Sequence, residues 1–291
     1  MQTTDSQNPP RISLVVCTRN RASTLPACLA ALNRLTSDVA YEIVIVDNGS
    51  TDHTADVLAE FASASSATVV LIQEPRAGVS RAKNAGILAA RGEVIAFTDD
   101  DCYPAEDYLT AIMQCFQDEK IAYLGDKVLL FDPADLHITI QTFNHPAAVS
   151  AGSYLKPGFI HGANFAFRRS VFSQVGGFDP LLGPGTPLIA EDSDMLQRVS
   201  LAGFAGLYTP LAIVHHHHRR QTKQDEIDIL KSYALGRGAY FFKGLSSKQS
   251  RSAFIWPVLR RVGGHIAYLR FNEFFNELHG AFIYWRTRNQ R

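Results

Sequence analysis

Glu93-Val94-Ile95-Ala96-Phe97-Thr98-Asp99-Asp100-Asp101 joins an apolar run to three adjacent carboxylates, and the fold follows from how this stretch is read. Its first five residues suit a strand buried on both faces, and the aspartates fall in the turn after it, with no Lys or Arg within several residues. Crowded carboxylates repel one another and favour a cation. Oxygen ligands suit Mg²⁺ or Mn²⁺, which take one or two protein carboxylates and complete their shells with water or phosphate oxygens. A nucleotide diphosphate can be held in this way. The bland alternative is a solvated acidic turn. Placement at the carboxyl end of a strand, where open α/β sheets bind ligands, favours the ligand.

The same pattern repeats on the N-terminal side. Ile12-Ser13-Leu14-Val15-Val16 breaks into Cys17-Thr18-Arg19-Asn20-Arg21, and Leu25, Cys28, Leu29 and Leu32 then recur at helical spacing. Ile43-Val44-Ile45-Val46 runs into Asp47-Asn48-Gly49-Ser50-Thr51-Asp52, followed by a helical pattern and a third apolar run, Thr68 to Ile72. Strands alternating with helices predict a parallel sheet covered on both faces. After residue 130 the regularity falls, and a helix is expected over Ser193–Leu201 behind the loop Leu182-Gly183-Pro184-Gly185-Thr186-Pro187. The first half reads as nucleotide-binding and the second as acceptor-facing.

At 291 residues, 46% of them hydrophobic, the chain can bury a full core. Disorder is expected over residues 1–10, and the four cysteines, without CxxC spacing, read as reduced thiols. No signal peptide or membrane-spanning run is visible, so a cytoplasmic protein is expected. The formal net charge is zero, yet residues 219–291 hold 14 of the 28 basic residues and only 5 of the 28 acidic ones. Such asymmetry suggests a surface that meets an anionic partner. Nucleic acid is not expected, because no nucleic-acid motif appears.

Several further residues carry chemistry. Asp47, at a strand end beside Gly49 and Ser50, can accept a hydrogen bond from an imide N–H such as that of uracil; Asn48, Ser50 and Asp52 serve equally well as turn and cap residues. Gly78 to Gly86 opens a helix with Arg81 and Lys83, which suit the base or phosphates of an anion, a solvated helix face being the alternative. The stretch Ala190 to Arg198, leading into Ser193–Leu201, places Glu191 and Asp192 at the first turn of a helix, where acids are common for dipole reasons. The flexible loop before them would let one face a site and deprotonate an acceptor hydroxyl as general base. Of His215 to His218, at most two can point to one site if the segment is a strand. One of these could complete the coordination of an ion held by the aspartates.

Together these residues resemble the family 2 glycosyltransferases of the GT-A fold. The likeness rests on Val16 to Arg21, Val46 to Asp52, Gly78 to Gly86, Thr98 to Asp101, Gly162-Ala163-Asn164-Phe165-Ala166-Phe167-Arg168, Gly176 to Asp179, Glu191-Asp192 and the histidine run. Each motif is weak alone; their order and spacing are specific. The resemblance implies a Rossmann-like, mostly parallel central sheet flanked by helices over residues 11–220, divided into a nucleotide-binding half (11–130) and an acceptor-binding half (131–220), with a basic, amphipathic helical extension over 221–291. It also implies a nucleotide-sugar donor, a UDP-sugar foremost, a glycan or lipid-linked acceptor, a Mn²⁺ or Mg²⁺ ion and a single displacement that inverts the anomeric centre in surface polysaccharide synthesis. Donor contacts would come from Thr18, Arg19, Arg21, Asp47, Asn48, Arg81, Lys83, Asp99 and Asp100, and acceptor or sugar contacts from Gly162, Ala163, Asn164 and Arg168. Asp192, with Glu191 beside it, matches the family's general base. The metal would be held by Asp101 and Asp100, with His215 and His217 on one strand face.

Tyr268, Phe271, Phe275, Leu278, Phe282 and Trp285 recur every three or four residues among arginines, which predicts an amphipathic helix. Residues 250–291 are expected to touch an anionic membrane interface peripherally, or to pack on the catalytic domain or a second subunit. Two rival functions remain: a catalytically silent nucleotide-sugar-binding scaffold and a sugar nucleotidyltransferase. The latter needs a glycine-rich loop after its first strand, and Thr18-Arg19-Asn20-Arg21 has no glycine.

Overall fold

A computed structural model describes residues 9–290 of the chain. Residues 1–8, most of the segment expected to be disordered, lie outside the described residues. Seven elements alternate through the first hundred positions: β1 (Ile12–Thr18), α1 (Leu25–Leu32), β2 (Tyr41–Asp47), α2 (Thr54–Ala64), β3 (Thr68–Gln73), α3 (Val79–Ala89) and β4 (Val94–Asp99). Their strands pair in parallel in the order β3-β2-β1-β4. Register places Thr18 opposite Asp47 and Cys17 opposite Asp99, so the polar turns that end these strands open side by side. β1, β2 and β4 are buried as continuous apolar runs; β3, at the sheet edge, is half exposed.

Beyond Asp99 the sheet becomes mixed. β5 (Cys102–Pro104), α4 (Tyr108–Cys115), β6 (Ile121–Leu130), β7 (Ala147–Val149), β8 (Asn164–Arg168), α5 (Ser170–Val175), α6 (Glu191–Leu201) and β9 (Ala205–His216) follow. The sheet continues β4-β8-β6-β9-β5, with β8 antiparallel to β4 and β6, and with β5 antiparallel to β9. Parallel pairing is thus confined to the first half and to β6 with β9, because β8 returns beside β4 without a crossover helix of its own. Cys102 pairs with His216, and this register brings the histidine run to the aspartate turn. One core layer packs α1 and α4 on one face of the sheet through Cys28, Leu29, Tyr108 and Ile112. The other packs α3, α5 and α6 on the opposite face through Ala82, Val171, Met195 and Val199.

Three helices complete the chain. α7 (Lys223–Ser246) starts at a capping box in which Thr222 and Asp225 satisfy each other's backbone N–H groups. α8 (Arg251–Ala267) is followed by α9 (Phe271–Asn289), which carries the whole Tyr268–Trp285 apolar pattern except Tyr268, the residue that caps α8. α9 crosses α7 so closely that a Cβ on Gly280 would collide with the Leu235 carbonyl, and one on Gly238 with the Glu277 carbonyl. Backbone cannot swing aside as a side chain can. Gly280→Ala is therefore expected to cost about 1–3 kcal/mol by overpacking and to lower the melting temperature by several degrees. Gly263→Ala in α8, whose added Cβ meets nothing within 4 Å, should be neutral or slightly stabilising in the same thermal melt.

Candidate active site

The carboxyl ends of β1 and β4, the residues just before β8 and the start of α6 enclose a cavity of about 650 Å³. Thr18, Asp99, Asp100 and Asp101 border it from the first half of the chain, with Arg19, Arg21, Asn48 and Gly78. Gly162, Ala163, Glu191 and Asp192 border it from the second half, and Tyr233 and Arg237 from α7.

Folding supplies the aspartates with the cations that the local sequence lacks. Asp100 accepts a hydrogen bond from the Thr18 hydroxyl at 2.6 Å, and the Arg21 Nε lies 3.5 Å from its carboxylate. Arg21 Nη2 lies 3.7 Å from Asp101, and His216 Nε2 lies 3.3 Å from the other oxygen of that carboxylate. Burial is the main force on Asp99 and Asp100. It drives Asp99 well above the ordinary carboxylate range against the pull of Lys83, and Asp100 up to about 6 against that of Arg21. Asp101 is held below its ordinary value, because the hydrogen bond and charge of His216, then Arg21, overcome the burial that would raise it. Reciprocally, Asp101 raises His216 against its own burial.

Asp101, His216 and Cys102 place one ligand atom each within 4.8 Å of one another. Burial, then the neighbouring carboxylates, pushes the Cys102 thiol far up, so it stays protonated and the oxygen and imidazole atoms are the usable donors. Carboxylate and imidazole together suit a divalent ion of the Mn²⁺ or Mg²⁺ kind, and the buried acidic turn beside them lacks full neutralisation. The donor set fits such an ion. His216, not His215 or His217, is the histidine at this position, which corrects the expected face. Pairing with Cys102 fixes the parity of β9, and alternation sends its neighbours to the opposite side. His217 meets the Tyr103 hydroxyl at 3.0 Å, and neither it nor His215 is among the described residues that border the cavity.

At the start of α6 the two acids separate in role. Glu191 is buried and its Oε1 accepts from Lys83 Nζ at 3.1 Å, while its Oε2 has no partner among the described residues. Lys83 is thus a buried counter-ion beneath the cavity and not a cavity-lining donor contact; Glu191 and Asp99 hold its pKa up against burial. Asp192 borders the cavity, with Oδ2 accepting the Gly162 N–H at 3.0 Å and Oδ1 the Ser193 N–H at 2.6 Å. A Cβ on Gly162 would crowd that carboxylate, so only glycine leaves room for it.

Other expected contacts are placed elsewhere. Asp47 is buried and accepts the Ser50 N–H at 3.0 Å, and neither it nor Arg81 borders the cavity. Asn48 borders it but spends its amide on three loop contacts, donating to the carbonyls of Glu74 and Arg76 and accepting from the Gly78 N–H. Asn164 is fully buried, donating to the carbonyls of Lys127 and Ala212 and accepting from Tyr108. Arg168 is at the wrong end of the sheet for an acceptor contact. Antiparallel pairing sets it opposite Val94, and its guanidinium caps the carbonyls of Ile121, Phe116 and Asp118. Sequence reasoning missed His161, which borders the cavity and whose Nδ1 accepts the Ala163 N–H at 3.2 Å. Burial, then His216, drives it down to about 3. Its place beside the glycine of Gly162-Ala163-Asn164 was the available signal.

A mixed α/β sheet with an acidic cavity at its strand ends is the architecture of the GT-A glycosyltransferases. The model of glycosyl transferase family 2 matches residues 13–176, more than half of the chain, and the chain belongs to that family. The pre-mycofactocin glycosyltransferase of Mycobacterium tuberculosis is 26% identical over 220 residues, 73% of this chain and 44% of that one. The O-antigen chain rhamnosyltransferase WbaN of Salmonella anatum is 26% identical over 194 residues, 63% of this chain and 59% of that one. The chain spans about half the length of the curated relatives it matches. Among solved structures, the mannosyltransferase PcManGT of Pyrobaculum calidifontis, in complex with GDP-Man and Mn²⁺, superposes with a TM-score of 0.65 at 21% identity, covering 95% of this chain and 74% of that one.

Proposed function

We propose that this chain transfers a sugar from a nucleotide-sugar donor to a hydroxyl of a glycan or lipid-linked acceptor, inverting the anomeric centre. The observation that carries this reading is a single cavity bordered on one side by the Asp99–Asp101 turn and on the other by the Asp192 carboxylate. Asp192 removes the proton of the acceptor hydroxyl as its oxygen attacks the anomeric carbon, and the bond from that carbon to the diphosphate breaks with its electron pair leaving on the diphosphate. Attack and departure on opposite faces invert the centre. A Mn²⁺ or Mg²⁺ ion, held by Asp101 and His216 with Asp100 beside them, would supply Lewis-acid neutralisation of the leaving diphosphate. Arg21 is the protein cation that approaches Asp100 and Asp101 on that side, and Thr18 fixes the Asp100 carboxylate beneath it. Lys83 holds Glu191 in place, which leaves Asp192 as the carboxylate free to act.

Two relatives' properties support the reading. PcManGT is in complex with GDP-Man and Mn²⁺, and WbaN is an O-antigen chain rhamnosyltransferase. Thermal melts with UDP, dTDP, GDP and CMP and their sugars, each with Mn²⁺, Mg²⁺ or EDTA, test the donor side. At a hundredfold excess over Kd, native-state binding adds about 2.7 kcal/mol and should raise the melting temperature by roughly 5 °C. A shift with one base that EDTA abolishes is expected, a UDP-sugar being tried first. No shift with any of them would remove the donor site.

A further inference from the structure

Of the 18 large apolar side chains exposed among the described residues, 11 lie between Ile255 and Trp285, none of them bordering the cavity and all outside the clusters that form the core. On α9, Phe271, Phe275, Leu278, Phe282 and Trp285 repeat at alternating spacings of four and three, which sets them in one stripe along the helix. Ile255, Leu259 and Ile266 make the equivalent stripe on α8, with Trp256 beside it. Tyr268 and Leu269, each 73% exposed, occupy the turn between the two. A run of exposed apolar surface on this scale marks a site of interaction. No helix among the described residues is long and apolar enough to cross a membrane.

The charges select the partner. Glu273 and Glu277 are the only acidic residues of α8 and α9, and both are committed inside the helical bundle. Each pairs with Arg237 and with Arg261, and Glu277 also meets His265 at 2.9 Å. The remaining charged side chains of the two helices and their turn, Arg251, Arg260, Arg270, Arg286 and Arg288, are all cationic. A second copy docking isologously on this face would set arginine against arginine. An anionic phospholipid surface complements both the arginines and the apolar stripe between them.

We propose that the α8–α9 hairpin is a peripheral docking surface for an anionic phospholipid bilayer, with its apolar stripe sunk to the boundary of headgroup and acyl chain and its arginines on the lipid phosphates. This inference stands on the surface alone and does not depend on the transfer reaction. Arg237, which pairs with both Glu273 and Glu277, also borders the cavity, so the docking hairpin is tied to the cavity wall.

The test is co-sedimentation of the 291-residue chain with vesicles of phosphatidylcholine, alone and mixed in equal parts with phosphatidylglycerol, at low and high salt. Binding to the anionic vesicles that weakens with salt is expected, with little binding to the neutral ones. The double variant Arg286→Gln/Arg288→Gln should bind the anionic vesicles about 25-fold more weakly, roughly fivefold for each arginine. Phe275→Ser/Phe282→Ser should lose at least as much. All four positions are on the outer helix face, so both variants should keep the wild-type melting temperature and nucleotide binding. Absence of binding to anionic vesicles would overturn the proposal, as would variants that sediment like wild type. A stable dimer in light scattering, abolished by Phe275→Ser/Phe282→Ser without any vesicle binding, would assign the face to a second copy instead.

Discussion

Asp192→Asn is expected to lower sugar transfer by about a thousandfold while leaving donor nucleotide affinity within about twofold, because general base catalysis contributes on the order of 10²–10⁴ and Asn cannot take the acceptor's proton. The substitution is close to isosteric, but the Asp192 carboxylate accepts backbone N–H groups from both Gly162 and Ser193, and an asparagine has one acceptor oxygen for two donors. A loss of about 1 kcal/mol in stability should accompany it, too little to unfold the chain. Glu191→Gln separates the two acids. It leaves the buried Lys83 cation without its ion-pair partner, and breaking a buried pair from one side costs about 3–5 kcal/mol, so this variant should fail first in thermal stability. Single-turnover transfer measured with donor titration distinguishes the cases. Full activity in Asp192→Asn, or a loss explained wholly by weaker donor binding, would remove the residue from the chemistry.

The strand-turn-helix rhythm of the first hundred residues was legible because period and turn chemistry are local. Ile12–Val16, Ile43–Val46 and Glu93–Phe97 are apolar runs that end in polar turns, and nothing distant alters that reading. The mixed half of the sheet was less legible, since β8 is a short strand whose partners lie some 40 and 70 residues away, and a βαβ rhythm no longer predicts direction. At the site, residue types could be read but orientation could not. His216 faces Asp101 because Cys102 pairs with it, a register that no pattern within His215–His218 encodes. Arg168 belongs to a motif whose glycine end reaches the cavity, and four residues of extended chain carry its other end to the far edge of the sheet. Arg21 is about 80 positions from the acids it approaches. Distance in sequence hid the neutralising charge, and only folding reveals that the aspartate turn is partly compensated.

The second large effect concerns Asp101 and is read through pH. Asp101→Asn removes the carboxylate that both His216 and Arg21 approach, and should reduce transfer at least about a hundredfold and abolish the Mn²⁺-dependent thermal shift. His216→Ala should weaken metal affinity by roughly 10–100-fold, whereas His215→Ala, outside the cavity, should change neither readout. The sign of the pH dependence follows from the shifts. Asp100 is pushed up to about 6 in the folded chain against an ordinary 3.8, and Asp99 is raised as well, so between these values the native state holds more protons than the unfolded one. Stability without metal must then fall as pH rises through this window, by about 3 kcal/mol for Asp100 alone. His216, also raised, adds to the fall as pH climbs past its folded value. Asp101, lowered, acts in the opposite sense, contributing stability above its unfolded value and losing it in acid. A divalent ion competes with protons for these same carboxylates, so the thermal shift produced by Mn²⁺ should be small at pH 5 and grow steadily toward pH 7.5. A shift of constant size across that range, together with metal-free stability that rises with pH, would show that the ion binds elsewhere and that the Asp99–Asp101 turn is held by Arg21 and His216 alone.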